Sequence, residues 1–386
     1  MKATVRRGER PVLGRPSWHH VGVGPRLELP SGHSLLVVGP TQSGKTSSLV
    51  VPAILRWSGP LVVTSVKRDV LELTRPWRER MGEVHELEPG RASGATWDPL
   101  ESVMDYHDAL GVARDLVVGD RSRASSESEF WNALAVKLLG ALAVVVKQRG
   151  GSVFDLVALV EERSFLDEVP DADDADVLRV LRTFRAHEPR TLDAVATTVE
   201  AMLTPWQRRQ PLAQLGALLD GPNTLYLVAP RHEQRRYEGL FRGALRAVVV
   251  DQQRRFESGT GRELLAVLDE AAVVAPLEDL DQLAATGRGL GITLVTVFQD
   301  FAQIEARWND RAATIVNNHA SRLVLGGLVD PRATRYVPEL GEEPHSARAL
   351  RTWPTHSAAL VSGRRALRTV RLVPWWRQRR LRRRTI

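Results

Sequence analysis

The sequence contains no cysteine, which excludes disulfide bonds and thiolate metal sites. Its ten histidines do not fall at metal-ligand spacings. His19 and His20 are adjacent, and neighbouring residues on a strand point to opposite faces, so we interpret this pair as structural or surface residues. The sequence therefore offers no pattern for a metal centre built from histidine or thiolate ligands.

Long hydrophobic runs are also missing. The basic N-terminus, with Lys2, Arg6 and Arg7, is not followed by the apolar stretch of a secretory signal. The longest apolar run, Ala133 to Val146, is interrupted by Lys137 and is shorter than the roughly 20 residues that a membrane span needs. We therefore expect no transmembrane segment in this chain, and a buried helix at the apolar run.

Length and composition indicate a globular protein with more than one structural part. The chain has 386 residues, 43% of them hydrophobic and 26% charged. That length exceeds one ordinary core and favours a large domain with an insertion, or two domains. The formal charge of +7 is unevenly placed, because residues 364 to 386 hold ten arginines and no acid. The high isoelectric point is thus mostly a property of the C-terminal end.

Predicted strands and helices alternate in the first hundred residues and again after residue 216. The strands are Arg26 to Leu29, Ser34 to Val38, Leu61 to Val66, Val84 to Leu87, Thr224 to Val228, Leu264 to Leu268, Ile292 to Phe298, Arg322 to Leu325 and Ala358 to Val361. Buried apolar strands separated by helices are typical of a parallel sheet. From Ser102 to about Arg209 the pattern is helical only. We therefore predict an α/β domain over 31–101 and 216–373, an all-α insertion over 102–215, an N-terminal extension over 1–30 and a basic tail over 374–386.

The segment Gly39 to Thr46, GPTQSGKT, matches the phosphate-binding pattern G-x-x-x-x-G-K-[ST] in full. It lies between a predicted buried strand and a predicted helix, as the motif requires. Backbone N–H groups of such a loop and the helix N-terminus form a concave anion site. Lys45 is expected to reach the β- and γ-phosphates, and the Thr46 hydroxyl to bind Mg²⁺. The nucleotide-binding residues predicted here are Gly39, Pro40, Thr41, Gln42, Ser43, Gly44, Lys45, Thr46 and Ser47.

A second acidic element follows the predicted strand Leu264 to Leu268. Asp269 and Glu270 come directly after it, at what should be the ligand edge of a parallel sheet. Asp269 is expected to hold Mg²⁺, and Glu270 to orient and deprotonate the attacking water. An acid pair that only starts a helix would look the same, and the phosphate-binding loop favours the catalytic interpretation.

Two later residues complete the predicted site. Gln299 ends the next apolar strand, where an amide can sense the γ-phosphate or the attacking water; otherwise it is a turn residue. Arg288 is flanked by Gly287 and Gly289, so it could project as an arginine finger into a neighbouring subunit, or be an ordinary solvated arginine. Together these residues predict hydrolysis of a nucleoside triphosphate, ATP with Mg²⁺. A guanine-reading N-K-x-D and an LSGGQ-like signature are both absent from the sequence.

Several motifs, in order, resemble the coupling-protein ATPases of type IV secretion and bacterial conjugation, the TraG/TraD-like class. They are GPTQSGKT from Gly39, VVTSVKRDVLELT from Val62, TWDPL from Thr96, EFWNALA from Glu129, VLDEAA from Val267 and TGRGLGITLVTVFQD from Thr286. Each element except the first is weak alone, but their order over about residues 30 to 373 is specific.

The resemblance implies a RecA-like P-loop motor with a central, mostly parallel sheet and an inserted all-α domain. It implies a homo-oligomer, a hexameric ring, in which Glu270 is the catalytic glutamate, Gln299 the sensing glutamine and Arg288 a finger supplied in trans. Single- or double-stranded DNA with its relaxase, or protein, would be delivered to a secretion channel. The expected location is cytoplasmic, or peripheral at the cytoplasmic face of the inner or plasma membrane.

Two departures from the family leave alternatives open. The first departure is at Ser65 to Arg68, which stands where many members have Asp-Pro-Lys-Gly. The second is that most members begin with transmembrane helices, whereas we expect none in this chain. A soluble FtsK/HerA-like DNA translocase of repair, segregation or defence would share the same site. A third hypothesis is a module that uses ATP only as an assembly switch.

The C-terminal segment Pro374 to Arg384, PWWRQRRLRRR, combines two tryptophans with a run of arginines. Tryptophan at an interface and arginine on anionic lipid would fit a peripheral membrane contact. Arginine on phosphate and tryptophan stacked on bases would fit single-stranded DNA. A disordered, solvated basic end is the third interpretation.

Overall fold

The computed structural model describes residues 10–18, 21–22, 26–91, 94–117, 125–163, 165, 173–229, 233–341, 346–363 and 365–385. These residues form two compact units. The first lies within Met1–Glu86, Ala217–Pro230 and Val249–Ile386, and the second within Leu87–Gly216 and Arg231–Val248. The residues interpreted above as surface histidines or as a basic N-terminus lie outside the described ranges: His19, His20, Lys2, Arg6 and Arg7.

The strands are distributed over both units. Their bounds are β1 (Val12–Trp18), β2 (Val21–Gly22), β3 (Leu27–Glu28), β4 (Ser34–Val38), β5 (Leu61–Ser65), β6 (Val84–Leu87), β7 (Thr96–Trp97), β8 (Leu212–Ala213), β9 (Thr224–Val228), β10 (Leu264–Leu268), β11 (Ile292–Phe298), β12 (Ser321–Leu325), β13 (Ser357–Ser362) and β14 (Arg365–Arg371).

The helices follow the same chain order, and a π-helical turn over Thr46–Val50 leads into the first of them. Their bounds are α1 (Val51–Arg56), α2 (Asp69–Glu79), α3 (Tyr106–Asp115), α4 (Ser126–Gln148), α5 (Val153–Glu161), α6 (Ala175–Arg185), α7 (Pro189–Leu203), α8 (Gln234–Glu257), α9 (Leu280–Thr286), α10 (Phe301–Trp308), α11 (Ala312–Asn318), α12 (Ala333–Tyr336), α13 (Ala347–Leu350) and α14 (Arg379–Arg382).

The first unit is built on one twelve-stranded sheet. Its order is β2-β1-β14-β13-β12-β4-β11-β10-β5-β9-β6, with β3 paired to β1. The strands from β12 to β9 pair in parallel, and those from β12 through β13 and β14 to β1 pair antiparallel. Strands β4, β5, β9, β10 and β11 are mainly apolar, with a few Ser and Thr, and are buried along their whole length, as parallel strands covered on both faces are.

The register of the parallel strands brings the ends of three of them to one edge. Val38 at the end of β4 is opposite Phe298 at the end of β11, and Leu268 at the end of β10 is opposite Thr296. The residues that follow these strands therefore share the carboxyl edge, where parallel α/β sheets bind ligands.

The N-terminal residues described here belong to the sheet, which differs from the predicted extension over 1–30. In β1, Arg15 and Pro16 are opposite Arg371 and Val370 of β14. The local signal of β14 is weak, because two of its seven residues are exposed arginines, Arg365 and Arg368. The pairing is made between residues more than 350 positions apart, so it depends on tertiary contacts that local patterns do not show.

The second unit is mostly helical. Helix α4 packs against α3, α6 and α7, and its residues from Ala135 to Val146 are buried apart from Lys137. Among the described residues it is the one helix whose length and composition would allow a membrane span, and 61% of its apolar window is buried within the structure. This burial agrees with the predicted buried helix. The short parallel pair β7–β8 is the sheet component of this unit.

The second unit is larger than the predicted insertion over 102–215. It includes the segment around Trp97, whose carbonyl accepts a hydrogen bond from Trp206 Nε1 at 2.7 Å. It also includes the first part of α8, where the buried Arg242 donates to the carbonyls of Asp115 and Val117. These contacts explain why the boundary falls after residue 86 and why residues 231–248 join the helices.

Candidate functional site

The loop Gly39 to Thr46 connects β4 to the π-helical turn at the carboxyl edge of the sheet. Gln42 and Gly44 both have positive φ, 63° and 96°. A Cβ at Gly39 would lie 2.8 Å from Leu325 Cβ, and one at Gly44 would lie 2.3 Å from His356 Nδ1. Both glycines are therefore required by close neighbours, in addition to any approach of a ligand.

The other residues of the predicted nucleotide site lie within this loop or directly after it. Ser47 Oγ donates to Gly44 O at 3.4 Å, and the buried Ser43 Oγ has no hydrogen-bond partner among the described residues. The other members differ in exposure: Thr41 and Gln42 are exposed at the tip of the loop, whereas Pro40 and Thr46 are half-buried.

The Lys45 ammonium group is buried beneath the loop. It donates to the carbonyl of Gly39 and to that of Pro40, the second at 2.8 Å. Burial lowers the pKa of Lys45, and the negative charges of Glu270, Asp269 and Asp300 act in the opposite direction. The lysine is thus oriented within its own loop and lies in the field of the acids that follow β10 and β11.

Asp269 lies directly after β10 and is 7% exposed. Burial, with repulsion from Glu270, raises the pKa of Asp269 to about 7, and Lys45 acts against this rise. A buried carboxylate of this kind fits a divalent cation, which would favour its charged form. Among the described residues no three His, Asp or Glu side chains form a metal cluster, so Mg²⁺ here would draw on Asp269, the Thr46 hydroxyl, phosphate oxygens and water.

Glu270 and Gln299, predicted separately from two strand ends, are brought into contact. Gln299 Nε2 donates to Glu270 Oε1 at 2.9 Å. Glu270 has a φ of 56°, an uncommon conformation for a residue other than glycine. Its neighbour Ala271 donates its N–H to Val297 O of β11 at 3.2 Å, which holds this turn against the adjacent strand. The strained turn directs the glutamate toward the amide.

Asp300 and Gln303 support this pair and were not predicted. The Asp300 carboxylate accepts the Gln303 N–H at 2.8 Å and caps α10. Gln303 Oε1 in turn accepts the Gln299 N–H at 2.9 Å. Asp300 could have been suspected only because it follows Gln299 directly in the sequence. No local feature of the sequence pointed to Gln303.

Arg288 is not close to the other predicted residues of its own chain. It is exposed in the turn before β11, whereas Gln299 follows the end of that seven-residue strand. A strand of this length spans roughly 23 Å at about 3.3 Å per residue. Arg288 instead lies against Gly32, where an added Cβ would be 3.0 Å from Arg288 Cα. A role for Arg288 in hydrolysis would therefore require a neighbouring subunit.

His356 is a further neighbour of the loop that sequence reasoning did not identify. Its Nδ1 is 2.8 Å from Ser48 Oγ, and its backbone N–H donates to Ser43 O at 3.3 Å. Burial, together with the positive charges of Arg371 and Arg377, lowers the pKa of His356, which favours the neutral ring. A lone histidine before a short strand carried no signal for this position.

The C-terminal segment is ordered against the helix that follows the loop. Leu381 is buried with Val51 and Leu55 of that helix. Arg384 donates to Leu55 O at 2.6 Å, and its guanidinium lies 4.6 Å from the centre of the Trp77 ring. The interpretation of this segment as a disordered, solvated end is therefore wrong for residues 374–385, because its apolar residues have partners in the first unit.

The comparisons with known proteins agree with this architecture. Residues 4–343 match the family model for type IV secretory system conjugative DNA transfer. The conjugal transfer protein TraG of Rhizobium radiobacter is 26% identical over 335 residues, which cover 80% of this chain and 52% of TraG. The coupling protein VirD4 of Bartonella quintana is 21% identical over 362 residues, covering 84% of this chain and 56% of VirD4. The chain spans about half the length of the curated relatives it matches.

Solved structures of the plasmid coupling protein TrwB have the same fold. The complex of TrwB with the ATP analogue ADPNP gives a TM-score of 0.68 at 17% identity and covers 96% of each chain. The complex of TrwB with ADP and Mg²⁺ gives 0.66 at 18% identity, covering 90% of this chain and 87% of TrwB. The predicted α/β class with a central, mostly parallel sheet is confirmed.

Proposed function

This chain belongs to the type IV secretory system conjugative DNA transfer family, and from that premise we propose that it is an ATP-hydrolysing motor that drives or recruits DNA, or protein, for conjugative transfer. The observation that carries the proposal is the 2.9 Å hydrogen bond between Gln299 Nε2 and Glu270 Oε1, at the sheet edge that also bears Lys45. A phosphate-binding loop alone supports nucleotide binding. A carboxylate and an amide at the same edge support hydrolysis.

Phosphate binding follows from the loop itself. Backbone N–H groups from Gly39 to Thr46 surround the phosphates, and Lys45 exchanges the carbonyls of Gly39 and Pro40 for β- and γ-phosphate oxygens. The buried lysine gains a charged partner in this exchange, which offsets the cost of its burial. The TrwB complexes with ADPNP and with ADP and Mg²⁺ support the assignment of ATP and Mg²⁺.

Thr46 and Asp269 are the residues that would hold Mg²⁺, whose chemistry is to neutralise charge on the β- and γ-phosphates. Burial and repulsion from Glu270 raise the pKa of Asp269 to about 7, and a bound cation would favour its charged form. The protein therefore provides one buried carboxylate and one hydroxyl, and leaves the other ligand positions to phosphate and water.

Glu270 acts as the general base in this proposal. Its carboxylate accepts a proton from the attacking water, whose oxygen bonds to the γ-phosphorus as the bond from that phosphorus to the β–γ bridging oxygen breaks. The Gln299 amide holds the carboxylate in place through their hydrogen bond. Arg288 would stabilise the transition-state charge in the site of a neighbour, in a homo-oligomer that we propose to be a hexamer. The exposed position of Arg288, distant from its own site, supports an action in trans.

The proposed cargo is single- or double-stranded DNA with its relaxase, or protein, delivered to a secretion channel. The description of the matched family, conjugative DNA transfer, supports DNA as the cargo, and the VirD4 relative is named as a type IV secretion system coupling protein. The proposed location is the cytoplasm, with any membrane contact peripheral or made through a partner.

The deciding experiment measures ATPase rate with and without single- and double-stranded DNA, alongside mass photometry of the oligomer. We expect turnover that rises with DNA and with assembly. Lys45→Ala should weaken ATP binding itself, because it removes the cation under the loop. Negligible turnover of the assembled protein with DNA would refute the motor and favour an ATP-dependent assembly switch.

A further inference from the structure

A cavity of about 200 Å³ lies beside the turn that follows the phosphate-binding loop. Ser48 and Pro52 form one wall, and the start of β1 and the residues after β14 form the other. Four arginines and no acid line it: Arg15, Arg26, Arg377 and Arg379. None of the four has an ion-pair partner among the described residues. The cavity therefore combines partly apolar walls with an unneutralised positive rim.

The cavity is at the same edge of the sheet as the phosphate-binding loop. Strand β14 runs in the same direction as β4, because two antiparallel pairings separate it from β12, which is parallel to β4. Leu372, just after β14, is therefore at the edge where Gly39 follows β4. Ser48 and Pro52 lie two and six residues beyond Thr46, roughly 3 and 9 Å along a helix axis.

The cavity and the hydrolytic residues lie on opposite sides of the loop. In the sheet order, β11 and β10 flank β4 on one side and carry Gln299 and Glu270. On the other side follow β12, β13, β14 and β1, which lead to the cavity. A triphosphate whose γ-phosphate faces Glu270 must extend its other end away from β11, toward the arginines.

We propose that this cavity binds the base and ribose of the nucleoside triphosphate, and that Arg377 and Arg379 of the C-terminal segment are nucleotide contacts. The inference rests on the proposed function, since it assumes a triphosphate at Gly39 to Thr46. The volume suits this role: complete pockets for drug-sized ligands measure roughly 300–1,000 Å³, so 200 Å³ fits part of a ligand.

The chemistry of the lining matches a nucleoside end. Val12, Pro52 and Leu372 offer apolar surface to the faces of a base. Guanidinium groups stack on aromatic rings and donate to ribose oxygens. Arg377 is also one of the charges that lower the pKa of His356, a residue in contact with Ser48 at the cavity wall. The positive field of the C-terminal segment thus reaches the phosphate-binding loop.

The test compares two ligands that differ only in the nucleoside. Titration calorimetry of the full chain, with Mg²⁺, would measure Kd for ATP and for inorganic tripolyphosphate. In Arg377→Ala/Arg379→Ala, Kd for ATP should rise about tenfold, from loss of charge-assisted contacts, while Kd for tripolyphosphate stays within about twofold. The matched control Arg382→Ala/Arg383→Ala removes the same charge from exposed positions of the same segment and should change neither value.

Three results would overturn the proposal. Equal losses for ATP and tripolyphosphate would mean that the arginines act on phosphate or on the whole field. Unchanged ATP affinity would mean that they do not contact the nucleotide, and a concurrent loss of single-stranded DNA binding would assign them to nucleic acid. Failure of the unaltered protein to bind either ligand would instead refute the proposed function, and this inference with it.

Discussion

The contact between Gly44 and His356 makes a specific stability prediction for Gly44→Ala. The added Cβ would lie 2.3 Å from Nδ1 and 2.7 Å from Cε1 of the ring, so the ring must turn away. Its 2.8 Å hydrogen bond with Ser48 would be lost, at about 1 kcal/mol, and overpacking would add about 1–3 kcal/mol. The φ of 96° at Gly44 costs an alanine about 1–2 kcal/mol more. We expect a total destabilisation of about 3–6 kcal/mol.

A double-mutant cycle separates the ring from the backbone. His356→Gly removes the ring and suits the φ of 69° at that position. In this background Gly44→Ala should cost only about 1–2 kcal/mol, the backbone contribution. Urea unfolding of the four proteins, followed by tryptophan fluorescence, measures the coupling, expected to be about 2–4 kcal/mol from the lost hydrogen bond and the overpacking. A coupling below about 0.5 kcal/mol, the range of independent sites, would refute the contact.

Three further predictions address hydrolysis, assembly and pH. Glu270→Gln keeps the side-chain shape and an acceptor for Gln299, so ATP should still bind while turnover falls at least about 100-fold in a coupled ATPase assay; more than a tenth of the original rate would exclude Glu270 as the base. Arg288→Ala should lose oligomer-dependent turnover and regain some when mixed with Glu270→Gln, and no recovery would argue against action in trans. His319 is buried, and burial lowers its pKa from 6.5 to about 4, so between these pH values only the unfolded state takes up the proton. Stability should therefore fall by up to about 3 kcal/mol as pH drops through this window, and urea unfolding of His319→Gln should lack that loss.

Local patterns predicted the central strands well. The bounds of β4, β6, β9, β10 and β11 agree with the sequence predictions, and the predicted parallel arrangement of the central strands is confirmed. Such strands are short apolar runs between helices, and this pattern is visible without knowing their partners. Strands β1 and β14 were missed because their stability depends on pairing with each other, and the arginines of β14 gave it the composition of a solvated segment.

The candidate site likewise has residues that local patterns predicted and contacts that only the tertiary structure revealed. The loop Gly39 to Thr46, Asp269 and Glu270 were predicted because each follows an apolar strand and has a chemically distinctive residue type. Their catalytic roles remain predictions. The contact of Gln299 with Glu270, the position of His356 beside Gly44 and the arginine-lined cavity depend on chain segments that are distant in sequence. No local signal connects such segments.

The sequence by itself determined the phosphate-binding loop, the acid pair and the class of fold, because these follow from local periodicity and from residue types at fixed spacings. Tertiary structure alone decided what surrounds them. It directed Glu270 toward Gln299 through a turn with positive φ, separated Arg288 from its own site by the length of β11, and packed the basic C-terminal segment against the helix after Thr46. The physical reason is that strand pairing and side-chain packing join residues far apart in the chain, and these contacts set the geometry on which the proposed chemistry depends.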